Sequence, residues 1–333
     1  MPHGGAAGAR GRGALRVIRA WLADAAGARP AEPREAVAAA AAGRGAVWID
    51  FDGEDEANVC ALLEPLAIHP LVLEDMVLEV NRPKVDYYGA YLYLVVHSAR
   101  WDEDRPVLRE VDVLLGERYL VTYHDGATRS IDAAQATLAR RPELLAAGPA
   151  HLLHYVLDVL VDHWMPIVDQ IADEVDALEE RLFEQRTRVV RERVVRLKRG
   201  MSALRRIVGP QRDTVLALTR DEFRPIPAAL RPYLRDVYDR LARVSDLLDS
   251  FREEIAALLD LQLAAASNRL NDVIRRLTVI ATIGLPLTII TSYYGMNFAF
   301  AEYRWPWGHL WVLGLMAVSA LVTWLLLRWR RWS

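Results

Sequence analysis

Cysteine is nearly missing from this chain of 333 residues, since Cys60 is the only one. A lone thiol excludes an intrachain disulfide and suits a reducing compartment. Charge is missing from two stretches, Leu277 to Ala301 and Leu310 to Leu327, although 26% of all residues are charged and the net charge is only -3. Each stretch is long enough to cross the hydrocarbon, which takes roughly 17–25 residues of helix. Everything before Arg276 is rich in charge, so the chain reads as a large soluble part followed by a C-terminal membrane anchor. Residues 1–14 have no apolar run of signal-peptide length and read as a disordered arm.

Enzymatic signatures are missing as well. There is no glycine loop ending in Lys-Ser/Thr, no HExxH and no GxSxG, so catalysis is not expected. His151, His154 and Asp158 share a helix face and have metal-ligand chemistry, but Tyr155, Val156 and Leu157 surround them, which favours a packed histidine pair. Between Arg186 and Arg212 ten Lys or Arg stand against one acid, Glu192. No aromatic residues are interleaved with them, which argues against a nucleic-acid strip. Asp158, Asp162, Asp169, Asp173, Asp176, Glu180 and Glu184 recur mostly three or four residues apart. The expectation is antiparallel helices pairing an acidic with a basic face, worth a few tenths of a kcal/mol per exposed pair (~0.3).

What is present fixes an orientation. Arg269, Arg275 and Arg276 precede the first span, Arg328, Arg330 and Arg331 follow the second, and the loop between them holds only Arg304. The excess of basic residues places both ends in the cytoplasm and the loop outside. Tyr293, Tyr294, Trp305 and Trp307 mark the outer interface, Trp329 and Trp332 the inner one.

The soluble part, residues 15–227, starts as mixed α/β. "LRVIRAWL", "AVWIDF", "AYLYLVV", "EVDVLLG" and "YLVTYH" read as strands from their β-branched and aromatic content. "EPREAVAAAAAG" and "EDEANVCALLEPL" read as helices, and "HPLVLEDMVLEVNRPKVDYY" as a short helix, a turn at Asn81-Arg82-Pro83, and a strand. After about Asp132 the pattern is helical, with breaks expected near Pro166, at Gly209-Pro210 and at Arg224-Pro225-Ile226-Pro227. Pro232 suits the first turn of a new helix. A stalk over residues 228–272 continues into a first span over 273–294. Tyr233 to Tyr294 would form a rod about 90 Å long at ~1.5 Å per residue. Such a rod needs partners, and copies of itself are the simplest. An external loop (295–308), a second span (309–328) and a basic tail (329–333) complete the chain.

Along the first span Asn271, Ile274, Leu277, Ala281, Leu285, Thr288 and Ser292 step by three or four residues, so they share one face, polar at its ends and apolar in the middle. One reading is a helix–helix seam, where small and hydroxyl residues are common. The other is a ring of chains with this face inward, its apolar middle gating by dewetting.

The stretch "YGMNF" follows "LTVIATIGLPLTIITSY" and precedes an aromatic loop "RWPWG", a second span and the tail "RWRRW". Together with "SNRLNDVIRRL", "RPYLRDVYDRL" and "HPLVLEDM…NRPKVDYY", it resembles the CorA magnesium transporter family over nearly everything after Leu15. The resemblance implies a funnel-shaped homopentamer, with an α+β cytoplasmic domain, a long stalk helix and two C-terminal transmembrane helices per chain, the first lining the pore. It implies that Gly295, Met296 and Asn297 form the external entrance and Asn271 the inner end of the pore. It also implies that Asp75 of "HPLVLED", with Glu74, and Asp236 of "RDVYD" hold a regulatory divalent ion between subunits. Mg²⁺, with Co²⁺ and Ni²⁺ as further candidate cargo, would be both transported and regulatory. The expected partners are further copies of the chain, membrane lipid and divalent cations, with no nucleic acid.

Mg²⁺ holds its water tightly. Asn297 offers a neutral amide to the hydration shell, where a ring of carboxylates would bind too firmly for release. Gly295 allows a tight turn at the helix end; Gly and Asn there also suit a simple left-handed helix cap. The loop departs from the acid-rich family pattern, with Glu302 offset by Arg304. Two other readings stay open. A zinc-transporting relative would share the architecture, although the inward face has no Cys or His. A membrane-tethered coiled coil with a structural or signalling role would not conduct, and ion flux in liposomes separates it from a transporter.

Overall fold

The computed structural model describes residues 16–24, 27–78, 80–102, 105–183, 187–220, 222–296 and 305–329. The arm over 1–14, Glu184, Asn297 with the loop that follows it, and the tail after Trp329 lie outside the described residues. The chain divides into two compact units, Met1–Ile255 and Ala256–Ser333.

In the first unit a seven-stranded sheet is built from β1 (Val17–Asp24), β2 (Gly27–Pro30), β3 (Ala46–Asp52), β4 (Lys84–Tyr87), β5 (Tyr91–Asp102), β6 (Arg105–Gly116) and β7 (Tyr119–His124). The strands lie in the order β2-β1-β3-β7-β6-β5-β4. The β3–β7 pair is parallel and every other pair antiparallel. The six expected strands are all present, the one after the turn at Asn81-Arg82-Pro83 being β4. β2 carries no pattern by which sequence could have found it, because "GARP" is four residues without a β-branched or aromatic side chain. β6 also begins five residues before the expected Glu110, because the hairpin ladder continues to Asp102 opposite Arg105.

Alternation sorts the sheet into two faces. Val47, Ile49, Phe51, Tyr91, Tyr93, Val95, Leu114, Val121 and Tyr123 face one way and form a core with α1 (Pro33–Ala41), α2 (Glu56–Leu63) and α3 (Pro70–Leu78). Each large apolar side chain fully buried there contributes about 1.5–3 kcal/mol. Trp48, Asp50, Thr122 and His124 alternate with them on the other face, toward α4 (Arg129–Leu138), α5 (Glu143–Ala146) and α6 (Pro149–Asp162). That face holds a buried polar chain. Trp48 Nε1 donates to Thr122 Oγ1 at 3.0 Å, and Thr122 donates to Asp50 Oδ1 at 2.5 Å. Gln135 of α4 donates to Asp50 Oδ2 at 2.9 Å.

The helices α7 (Met165–Phe183) and α8 (Thr187–Leu218) follow. Pro166 stands at a helix start, as expected. The expected break at Gly209-Pro210 does not occur, because α8 runs through Pro210. A proline inside a helix costs about 3 kcal/mol. Leu204, Val208, Val215 and Leu218 on either side are fully buried, and their packing outweighs that cost.

The chain does break around Pro225 and Pro227, and α9 (Arg231–Tyr294) then runs for 64 residues with Pro232 in its first turn. Within the first unit Leu234, Val237, Leu241, Val244 and Leu248 are buried along one face of α9. Arg240 of α9 pairs with Asp158 and Asp162 of α6, and Tyr233 meets the His154 ring edge-on at 5.6 Å. Arg205 of α8 holds Asp249 of α9 at 2.8 Å. The acids of α6 are therefore answered by α9 rather than by the basic run of α8. Arg193 and Glu174, 3.8 Å apart, link α8 to α7. In the second unit the rest of α9 is accompanied by α10 (Gly308–Trp329), and both helices are long and apolar enough to cross a membrane.

Candidate functional site

In the second unit α9 has two unlike sides. Val279, Ile283, Pro286, Leu287, Ile290 and Tyr294 are half-covered, whereas Asn271, Ile274, Leu277, Ala281, Leu285, Thr288 and Ser292 are all exposed. At about 100° per residue these two stripes are centred on opposite sides of the helix, while Thr278 and Gly284, also half-covered, lie within and at the edge of the exposed one. α10 repeats the pattern with half-covered Val312, Met316, Ser319, Ala320, Thr323 and Leu327, whose small and hydroxyl members suit close helix packing in lipid. The face singled out from sequence is therefore one that the unit itself leaves uncovered.

Hydroxyl chemistry on α9 is one-sided. Thr278, Thr282 and Thr288 donate to the carbonyls of Ile274, Thr278 and Gly284 at 2.7–2.9 Å. A hydroxyl has one proton to donate and two lone pairs to accept. With its proton spent on its own helix, Thr288 can only accept on the exposed face. That is the polarity the water shell of a cation requires, because those waters donate outward.

The helix end is described as far as Met296. Gly295 is not in the left-handed conformation. Its N–H continues the helix ladder to Thr291 O at 2.9 Å, and Met296 N–H tightens the last turn to Tyr293 O at 3.3 Å. Gly295 thus does not itself supply the left-handed cap that was one of the two readings, and Asn297 lies outside the described residues. A glycine still fits for a steric reason, since a Cβ there would lie 3.0 Å from Thr291 O. Met296 is exposed, and Asn297 follows directly after the last residue described. Tyr293 and Tyr294 stand edge-on with centroids 5.5 Å apart; Trp305 and Trp307 are exposed.

Asp75 and Asp236 each lie beside a basic side chain of their own chain. Asp75 accepts from Lys84 Nζ at 2.9 Å, and Asn81 donates to its carbonyl at 3.3 Å. Partial burial opposes the Lys84 charge, but Asp75 and then Asp86 outweigh it and raise its pKa. Asp236, largely exposed, lies 3.2 Å from Arg240, and Asp239 lies 3.5 Å from Arg235. Burial likewise opposes the Arg240 charge, and Asp158 followed by Asp162 and Asp236 raises its pKa. Glu74 is exposed. Among the described residues no group of three or more His, Cys, Asp or Glu is placed to hold a metal ion within one chain. Neither Asp75 nor Asp236 is completed by its own chain, and His151, His154 and Asp158 do not form a metal site. His154 instead packs on Tyr233, and burial, the largest influence, lowers its pKa. Sequence reasoning missed Lys84. Its signal was available in "NRPKVDYY", where the turn between α3 and β4 brings Lys84 to Asp75.

The sequence pattern described as CorA-like Mg2+ transporter protein matches residues 43–331. The cobalt/magnesium transport protein CorA of Thermotoga maritima is 33% identical over 290 residues, 86% of this chain and 83% of that protein. Among solved structures, the complete CorA magnesium transporter of Methanocaldococcus jannaschii superposes with a TM-score of 0.80 at 19% identity, covering 94% of this chain and 97% of that one. The full-length CmaX protein superposes at 0.71 with 20% identity, covering 95% and 98%. This chain belongs to the CorA family. The expected architecture of a mixed α/β soluble domain, a long stalk helix and two C-terminal apolar helices is the one observed.

Proposed function

We propose that this protein carries Mg²⁺, with Co²⁺ and Ni²⁺ as further cargo, across the cytoplasmic membrane through the centre of a homopentamer. The observation that carries this reading is the uncovered stripe of α9, directly opposite its half-covered side and ending at Gly-Met-Asn. Two spans from one chain cannot enclose water; five copies with that stripe inward can. Ile274, Leu277, Ala281 and Leu285 then form an apolar constriction that closes by dewetting. Asn271, Thr288 and Ser292 meet the hydrated ion on either side. Gly295, Met296 and Asn297 form the outer entrance, both termini are cytoplasmic, and an interior-negative potential drives uptake by about 2.3 kcal/mol per charge per 100 mV. The cobalt/magnesium function printed for the Thermotoga maritima relative supports this choice of cargo.

Regulation completes the proposal. Asp75 of one subunit and Asp236 of the next, with Glu74 beside them, share a Mg²⁺ held mainly through its waters. The ion must bind the closed ring more tightly than the open one, and that difference is all it contributes to closure. Exposed Asp236 is free to turn outward, and Asp75 exchanges part of its attraction to Lys84 for the ion.

The test is Mg²⁺ uptake into liposomes by the parent and by Asn297→Ala. The variant should keep its oligomer and lose most uptake, because the deleted amide contacts the hydrated ion rather than protein. Uptake at the parental rate in an intact oligomer refutes the entrance role.

A further inference from the structure

The groove between α8 and α9 in the first unit is cationic without an evident structural need. Met201, Ser202, Arg205 and Arg206 of α8 face Leu248 and Arg252 of α9 across a cavity of about 370 Å³. The floor is apolar, since Met201 and Leu248 are both buried. The walls are guanidinium groups. Arg205 is tied through Nε to Asp249 at 2.8 Å, but among the described residues Arg206 and Arg252 have no acid within salt-bridge distance. Like charges facing across a groove repel, and α8 worsens this with nine basic residues between Arg188 and Arg212 against one acid. The arrangement makes physical sense if an anion sits between the helices.

We propose that this groove binds the phosphate groups of a soluble polyphosphate and so clips α8 to α9. Guanidinium forks match phosphate oxygens two at a time, which favours phosphate over a simple halide. The volume exceeds what a single small anion fills. Ser202 donates its proton to Lys198 O at 2.8 Å, so recognition falls to the three arginines. Three arginines and Asp249 leave a net charge of two positive units. A polyphosphate that has chelated Mg²⁺ has lost two of its negative charges, so the site prefers the metal-free anion. The clip is therefore strongest when Mg²⁺ is scarce. It acts on α9, the helix that continues into the first apolar span, and it is independent of whether Asp75 and Asp236 share an ion.

The experiment is calorimetric titration of the full chain with inorganic pyrophosphate in metal-free buffer, in detergent and in discs of neutral or anionic lipid. One site per chain is expected. Arg206→Gln combined with Arg252→Gln should weaken binding by at least about tenfold, from the loss of two charge-assisted contacts. The corresponding pair of lysine substitutions keeps the charge but not the fork and should bind with an affinity between those of the parent and the glutamine pair. Asp249→Asn, which removes the acid that pairs with Arg205, should tighten binding about threefold or more. The proposal is overturned if the glutamine pair binds pyrophosphate like the parent, or if Asp249→Asn weakens binding. Binding that persists in detergent and neutral discs but vanishes in anionic discs assigns the groove to lipid headgroups and overturns the soluble ligand.

Discussion

Replacing Asp50 by Asn should both destabilise the soluble unit and reverse part of its pH dependence. Asp50 is fully buried, and His124, only 2% exposed, places Nε2 3.3 Å from Asp50 Oδ1. Asp52 lies 3.7 Å from the other ring nitrogen, Gly126 O 2.9 Å from it, and Arg19 approaches Asp50 at 3.7 Å. Burial alone would keep His124 neutral. The close approach and charge of Asp50, then Gly126 and Asp52, overcome burial and raise its pKa above the ordinary 6.5. A raised folded pKa means that this stabilisation is complete below the unfolded value and is lost as pH rises through the folded one. Asn keeps the shape of Asp50 but removes the charge, and breaking one partner from a buried pair costs about 3 kcal/mol or more. At about 2–4 °C per kcal/mol, the melting midpoint near pH 6 should fall by roughly 10 °C. Without Asp50, burial wins, His124 titrates below its unfolded value, and its contribution is lost as pH falls. His97, lowered by burial to about 4, and His154 act in that same acid-sensitive direction in both proteins. The readout is therefore the difference between the two midpoints from pH 5.5 to 8.5, followed by fluorescence of the full chain in detergent. The difference should shrink as pH rises. A shift under about 2 °C with parallel profiles would refute the ion-pair account.

Ile274→Asn should raise ion leak and weaken closure in planar bilayers, because five amides keep the constriction wet; an unchanged conductance places Ile274 on a lipid or seam side. Asp236→Lys substitutes a fixed charge for the bridging ion and should protect the soluble domain from protease without Mg²⁺. If that variant still needs Mg²⁺ for protection, or the parent never gains any, the sensor lies elsewhere. Leu241→Ala, at a fully buried position on α9, should cost about 2–5 kcal/mol. It should expose the start of α9 to protease, and resistance equal to the parent's would show that this seam does not hold the stalk.

Much of this protein is determined locally and is therefore legible in its sequence. Uncharged runs long enough for the bilayer, β-branched runs between turns, and the three- and four-residue steps of α9 each follow from properties of neighbouring residues. The uncovered face from Asn271 to Ser292 was readable for the same reason, since helical periodicity alone assigns residues to sides. Tertiary structure decided what depended on distant neighbours. β2 is a strand only because Trp21 to Asp24 of β1 lie beside it. Pro210 stays helical because buried residues before and after it compensate for its missing bond. Asp158 and Asp162 meet Arg240, from a helix far along the chain, rather than the basic run that follows them. Lys84 reaches Asp75 because the chain turns between α3 and β4. Local propensity and periodicity are written in single residues and short windows, whereas pairing of charges and tolerance of a helix breaker are set by whichever surface the fold brings opposite them.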